Sequence, residues 1–433
     1  MVRSNTLRSF IGILAGILLA HWAQESVNAA NYNIFSGQSI QTKINSATNG
    51  DTITIFAGLY SENLTISGKD VRLVRPSSQS VSLSGNITFS GLSNAYTFND
   101  FIWGGMTDKN LTITNCPKFT LSGIRSTGGN LVFEGANTGA KVFDVTLGNG
   151  SVSVNNGSTI DFARCTVTGN VTAGSALNRI SFTRSIVTES FDSSASNTFV
   201  AYSSLRWFRQ RSSGKATLIG NTINERSAGG GNTVEVHDSS TVTAMNNIIR
   251  DGSADNHNAA FYVRGAASLS ALNNILFNYS GQPWYSDRGF IFEANRSTVS
   301  QISSNIGYAI QDEFLYGSFN YINAFNNLSA TGSGGGVYLA SHLTTDPAFV
   351  DTTNFVLGPT SPARNAGDPD PRFNDIDGTR NDMGIYGGPF YDPDGRTGSK
   401  PVVLNAELDN TQFVRGELST VKLKATGAAT GSP

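Results

Sequence analysis

Residues 232–252 read NTVEVHDSSTVTAMNNIIRDG, residues 259–281 read AAFYVRGAASLSALNNILFNYSG, and residues 289–307 read GFIFEANRSTVSQISSNIG. The three are one repeat unit. Each has a short strand alternating apolar and polar residues, a turn, a second short strand ending at an Asn or Ser pair, and a few apolar residues that close it. Val234 and Val236, Phe261 and Val263, and Phe290 and Phe292 take equivalent inward positions. His237, Arg264 and Glu293 then become equivalent and outward, because successive side chains of a strand face opposite sides. If the units stack, these three residues line up.

The same unit extends in both directions. Aligning the polar residue after the second strand gives Asp100, Gly123, Asp144, Cys165, Ser185, Ser204, Asn221, Asn247, Asn274, Ser304 and Asn327, at intervals of 23, 21, 21, 20, 19, 17, 26, 27, 30 and 23 residues. A coil of about twenty residues with three short strands suits a parallel β-helix, and an Asn or Ser at one recurring turn can bond its counterparts above and below. Asn63, Asn86, Asn110 and Asn170 open coils and are each followed two residues later by Thr or Ser. That matches a glycosylation acceptor, but recurrence at one coil position favours a turn role.

The composition agrees with a turn-rich β protein. In 433 residues only 14% are charged, and the formal charge is −2. Gly, Ser, Thr and Asn take the place of charge, and near-neutrality gives no general attraction to nucleic acid or an anionic membrane. At the N-terminus, Arg3 and Arg8 precede an apolar run from Phe10 to Ala20 and the small-residue site Val27-Asn28-Ala29. This pattern predicts a cleaved export signal over residues 1–29 and no membrane span afterwards. Next, Ile40, Ile44 and Ala47 fall on one helical face, so a short helix is expected to cap the first coil. The expected divisions are the capped β-helix over 30–345, C-terminal coils and a turn-rich cap over 346–395, and a linker with a strand-like tail over 396–433. Cys116 and Cys165 fall at different coil positions, which predicts two buried free thiols.

With the cap helix preceding GDTITI and GLYSENLTIS, the NNI-type ladder, and the closing DPAFVDTTNFVLGPTSPARNAGDPDPRFNDIDGTRNDMGIYGG, the chain resembles the secreted right-handed parallel β-helix proteins, the pectate lyase-like superfamily, over residues 31–395. The resemblance implies an all-β, right-handed, single-stranded parallel β-helix with a capping helix, exported by a bacterial cell. It supplies no site residue by residue. The Asn-Thr-Asp, Asp-Asp and Gly-His-Gly series of the polygalacturonases and the Gln-Asp-Thr-Leu of the pectin esterases are missing, and the acidic calcium cluster of the pectate lyases is reduced to Glu235 and Glu293.

The site is therefore read from the residues. Connections lengthen at 251–258 and again at 277–288, bringing Trp284, Tyr285 and Arg288 beside the face that carries Glu235, His237, Tyr262, Arg264 and Glu293. Arg209 and Arg211 join from the preceding coil. Aromatic faces stack on sugar rings and Arg pairs with carboxylates, so the expected partner is an acidic polysaccharide. Three readings stay open. In a lyase, Arg264 neutralises a uronate carboxylate while His237 or Tyr262 removes the neighbouring proton. In an inverting hydrolase, Glu235 and Glu293 act together from two coils apart, about 9.6 Å at roughly 4.8 Å per coil. In the third, the face is a glycan-binding or structural surface whose charges pair along the stack. Separately, Asp375, Asp377 and Asp382 form a candidate calcium loop; the competing reading, favoured here, is a turn held by Asp-to-backbone bonds.

Overall fold

The computed structural model describes residues 29–104, 108–225, 231–251, 259–278, 288–293, 299–310, 312–317, 322–335, 338–391, 402–408 and 423–428. The candidate export signal lies outside these residues. The chain is a parallel β-helix of about 13 turns. Among the described residues, most coils contribute one strand to each of three faces, and the first strands, Asn31–Ile34, Thr52–Ile55 and Arg72–Val74, form a small parallel sheet of their own. The first face runs from Leu64–Ser67 to Ser333–Gly334, the second from Tyr96–Asn99 to Leu339–Ala340, and the third from Gly58–Tyr60 to Leu328–Ser329. Two long strands, Ile186–Ser193 and Ser204–Gln210, bend from the third face into the first without a turn.

The register explains the sequence pattern. On the first face an inward column runs through Ile87, Leu111, Leu131, Val152, Val171, Phe191, Phe208, Val234, Phe261 and Phe290, each paired with the next. All are at most 1% exposed, so each added coil extends one continuous apolar core. Phe162 stacks on Phe182 with ring centroids 4.3 Å apart, and Phe261 on Phe290 at 5.1 Å.

The helix Ile40–Ser46 covers the open end of this core with Ile40, Ile44 and Ala47, all buried. Its first turn is held by Ser39, whose Oγ accepts from Thr42 N, and by Glu62 of the first coil, which accepts from Ile40 N at 2.6 Å and Gln41 N at 3.1 Å. Cys116 and Cys165 are both buried and unbridged.

The internal polar ladder corrects the sequence alignment at several coils. It consists of Cys165, Ser185, Ser203, Asn221, Asn247, Asn274, Asn305 and Asn327, in which each side chain from Ser185 onward accepts the backbone N–H of the preceding member at 2.9–3.1 Å. Asp100, Gly123, Asp144 and Ser304 belong instead to the position just before it. That column has φ near +50 to +63° at Asp100, Gly123, Asp144, Arg164, Arg184, Tyr202, Gly220, Asn246, Asn273, Ser304, Asn326 and Ser341. The tight corner requires the left-handed region, which Asn, Asp and Gly adopt most readily. Ser204 lies one place past the ladder. A second, exposed ladder lines the entrance to the first face. Asn63 Oδ1 accepts from Asn86 N at 2.9 Å, Asn86 Oδ1 from Asn110 N at 2.9 Å, and Asn170 Oδ1 from Ser190 N at 3.2 Å. The Asn-x-Thr/Ser positions thus serve as inter-coil braces.

Residues 346–391 lie lengthwise along the outside of the stack. Asn246 Nδ2 donates to the carbonyls of Ile385 and Gly387, Asn273 Nδ2 to those of Asp382 and Gly384, and Asn326 Nδ2 to those of Ala366 and Gly367. Beneath, the outward column of the third face changes from Arg125, Thr146, Thr166, Ile186, Ser204 and Thr222 to Ile248, Ile275, Ile306 and Leu328. These four pack with Phe355, Ala363, Met383 and Ile385 in a second buried cluster. The Asn-Asn-Ile motif therefore has three jobs. The first Asn grips this strap, the second makes the ladder, and the Ile sits under the strap. In the tail, Val402–Leu408 pairs antiparallel with Leu423–Ala428.

Candidate functional site

The first face also has an outward column, and its chemistry changes along the stack. Thr65, Thr88, Thr112, Val132, Ser153 and Thr172 occupy it in the early coils; Asp192, Arg209, Glu235, Tyr262, Ile291 and Tyr316 follow. Short β-branched residues are the ordinary occupants of an exposed pleat. Their replacement by ionic and aromatic groups over consecutive coils marks the site.

The pairing puts Val236 opposite Val263 and Val263 opposite Phe292, so His237, Arg264 and Glu293 at the following positions share the expected column. Arg264 and Glu293 are exposed there. His237 is not: it is 6% exposed, folded back so that Nε2 lies 3.2 Å from Glu235 Oε2. The contact is an ion-pair approach, and Nε2 is buried with no hydrogen-bond partner among the described residues. The expectation of three outward side chains thus holds for two, because Glu235 offers His237 a carboxylate within reach on its own strand.

The arginines upstream are engaged with carboxylates. Arg211 reaches Asp192 through Nε at 2.9 Å and Nη2 at 2.6 Å. Arg209 also donates to Asp192, approaches Glu235 at 3.6 Å, and lies 5.1 Å above the Trp207 ring. Burial raises the Glu235 carboxyl, but His237, the Asn232 amide and Arg209 together more than offset that and hold it below the usual range. The Tyr262 hydroxyl donates to Glu293; burial and this carboxylate push its pKa up to about 12. Arg264 is different. Its guanidinium has no hydrogen-bond or ion-pair partner among the described residues.

Arg288 lies one coil further along and is saturated. It bonds Asp312 at 2.7 Å and Glu313 at 2.6 Å, and stacks on Tyr316 with 4.4 Å to the ring centre. Trp284 and Tyr285 lie outside the described residues, as do most of both lengthened connections. Their described ends flank the corner between the third and first faces, beside this site. Sequence reasoning missed Asp192 and Tyr316. The signal for Asp192 was alternation, since Phe191 and Ser193 are buried on either side of it.

Asp375, Asp377 and Asp382 sit on the strap. Each accepts backbone N–H bonds: Asp375 from Gly388 at 2.6 Å and Asp382 at 3.1 Å, Asp377 from Thr379 at 2.9 Å, and Asp382 from Asn365 at 2.6 Å. Among the described residues no group of His, Cys, Asp or Glu is gathered to hold a metal. Burial raises the Asp375 carboxyl against the pull of the two N–H groups. Asp375→Ala is expected to cost about 1–3 kcal/mol by orphaning those two donors, whereas Asp375→Asn, which keeps one acceptor, is expected to cost less. Limited proteolysis of residues 363–388 checks this, and equal nicking of both variants and wild type would remove Asp375 from the account.

No family model matches the chain, and no curated protein matches its sequence. A crystal structure of pectate lyase Pel9A aligns with 84% of this chain and 98% of its own, at 12% identity and a TM-score of 0.37. A likeness at that level transfers neither residues nor activity. Among the described residues no helix is long and apolar enough to cross a membrane.

Proposed function

We propose that this is an exported β-helix protein that binds an acidic, uronate-containing polysaccharide along its first face, around Tyr262, Arg264 and Glu293. The observation that carries the reading is Arg264. It is an exposed cation left unpaired among the described residues, on a face where the neighbouring Arg209, Arg211 and Arg288 are matched to carboxylates. A guanidinium unpaired among the described residues, near the Tyr262 hydroxyl, suits the carboxylate and ring of a uronate. Export is read from the N-terminal leader alone.

Binding is favoured over turnover by the state of the groups that chemistry needs. A lyase needs a base at the α-proton; His237 is buried against Glu235, and a phenol at about 12 is protonated at neutral pH. An inverting hydrolase needs one carboxyl as acid and one as base; Glu235, which is lowered, suits only the base, and Glu293, left to be the acid, already accepts from the Tyr262 hydroxyl. The lyase remains the second reading, on the strength of Arg264.

Affinity for polygalacturonate is expected to fall roughly tenfold or more in Arg264→Ala, through loss of a charge-assisted bond, while Arg72→Ala, far from the face, leaves it unchanged. Equal binding by Arg264→Ala and wild type would move the ligand off this face. Absorbance from an unsaturated product, abolished by Arg264→Ala, would replace binding by lyase action.

A further inference from the structure

A trough of about 460 Å3 opens at the opposite corner of the early coils, where the second face meets the third. The loop from Arg75 to Ser80 overhangs it. This loop is pre-formed: Arg75 Nη1 donates to the carbonyls of Gln79 at 2.7 Å and Ser77 at 3.2 Å, and its Nε to that of Asp100. The floor is cut by a missing side chain. In the left-handed corner column, Gly123 stands between Asp100 and Asp144, and a Cβ there would fall 2.2 Å from Asp100 Oδ1. Ile102, 40% exposed, lies in the opening beside Arg125.

The charges define what fits. Arg75 is surrounded by carbonyls, and Asp144 is held by Arg164 at 2.7 Å. That leaves one group of each sign: the exposed Asp100 carboxylate, touched by Asn99 Nδ2 at 2.5 Å, and the Arg125 guanidinium, which has no partner among the described residues. We propose that this trough is a second ligand site, built for a neutral, hydroxyl-rich ligand of one to two pyranose rings. A carboxylate accepts from neighbouring hydroxyls, a guanidinium donates to ring and hydroxyl oxygens, and an exposed isoleucine receives the C–H face of a ring. The volume lies within the range of small-molecule sites. The proposal is independent of the acidic-polymer face, which lies across the coil.

Cellobiose, lactose and maltose, titrated at up to tens of millimolar and followed by saturation-transfer NMR on the full chain, test it. At least one is expected to bind. Arg125→Ala, an exposed change that should leave the melting curve in place, is expected to weaken that binding roughly tenfold or more. Gly123→Ser is expected to block it, and Arg264→Ala to leave it untouched. Binding unchanged in Arg125→Ala, or none of the three binding wild type, would overturn the proposal. Glycine binding where the disaccharides do not would also overturn it, in favour of a zwitterion held between Asp100 and Arg125.

Discussion

Replacing Asn274 by alanine is expected to cost about 3–5 kcal/mol of folding stability. Asn274 Oδ1 accepts from Asn247 N at 3.0 Å and Asn247 Nδ2 at 2.9 Å; its Nδ2 donates to Ala244 O at 2.9 Å, Leu272 O at 3.0 Å and Asn305 Oδ1 at 2.9 Å. The residue is fully buried. Alanine leaves the Asn247 N–H without its acceptor and takes a donor from the Ala244 carbonyl, at about 1–3 kcal/mol for each orphaned group, and the vacated volume adds to this. Serine should cost less, since Ser185 and Ser203 already hold this position and accept the same kind of N–H. Chemical denaturation gives the order wild type, serine, alanine. If alanine costs under about 1 kcal/mol, water is satisfying the corner and the ladder has little energetic weight.

The second large effect is expected at Ile306. It is fully buried although it points outward from the third face, and Gly384, at φ +86°, packs directly on it; a Cβ on Gly384 would come 2.8 Å from Ile306 Cδ1. Ile306→Asp removes an apolar contact and buries a carboxylate, together at least about 3–5 kcal/mol against strap docking. The cost should be local. Coils contact only their neighbours, so hydrogen exchange is expected to accelerate at Met383–Gly387 while the core strands around Phe162 and Phe182 keep their protection. Uniform loss of protection along the whole chain would show that strap and stack unfold as one unit.

The fold was legible because a β-helix repeats its instructions. Period-two alternation with a turn about every twenty residues, aligned over eleven coils in the sequence, outweighs noise in any one of them. The ladder was placed less well for a physical reason. Two adjacent corner positions both favour small polar residues, one for its φ and the other for its hydrogen bonds. Ser203 and Ser204, or Ser304 and Asn305, look alike in sequence. In the early coils the ladder position itself is apolar, as Phe101, Ile124 and Val145, so the polar residue that stood out was the one beside it. The strap was invisible to periodicity, because its contacts join residues from 40 to more than a hundred positions apart, as between Asn326 and Ala366 or Asn273 and Asn381.

For the candidate site, alignment gave the columns but not the direction of each side chain. His237 occupies the expected position, yet its ring is drawn down by Glu235. Asp192 escaped notice because Ile186–Ser193 runs around a corner as one strand, with no turn residue to announce a new coil. Arg288 suits an acidic ligand by type, and only the structure reveals Asp312 and Glu313 already in place beside it.

The strap makes the two halves of the stack unequal in how freely their number of coils can vary. Its grips at Asn246, Asn273, Ser304 and Asn326 are set one coil apart. Excising a coil between them would slide every later grip by about 4.8 Å, one inter-strand spacing, so that strap carbonyls would face the wrong asparagines. A coil excised upstream, such as the one opened by Asn130–Glu134, moves strap and grips together and leaves their match intact. Lengthening or shortening of this molecule by whole coils is therefore open in its N-terminal half and closed beneath the strap.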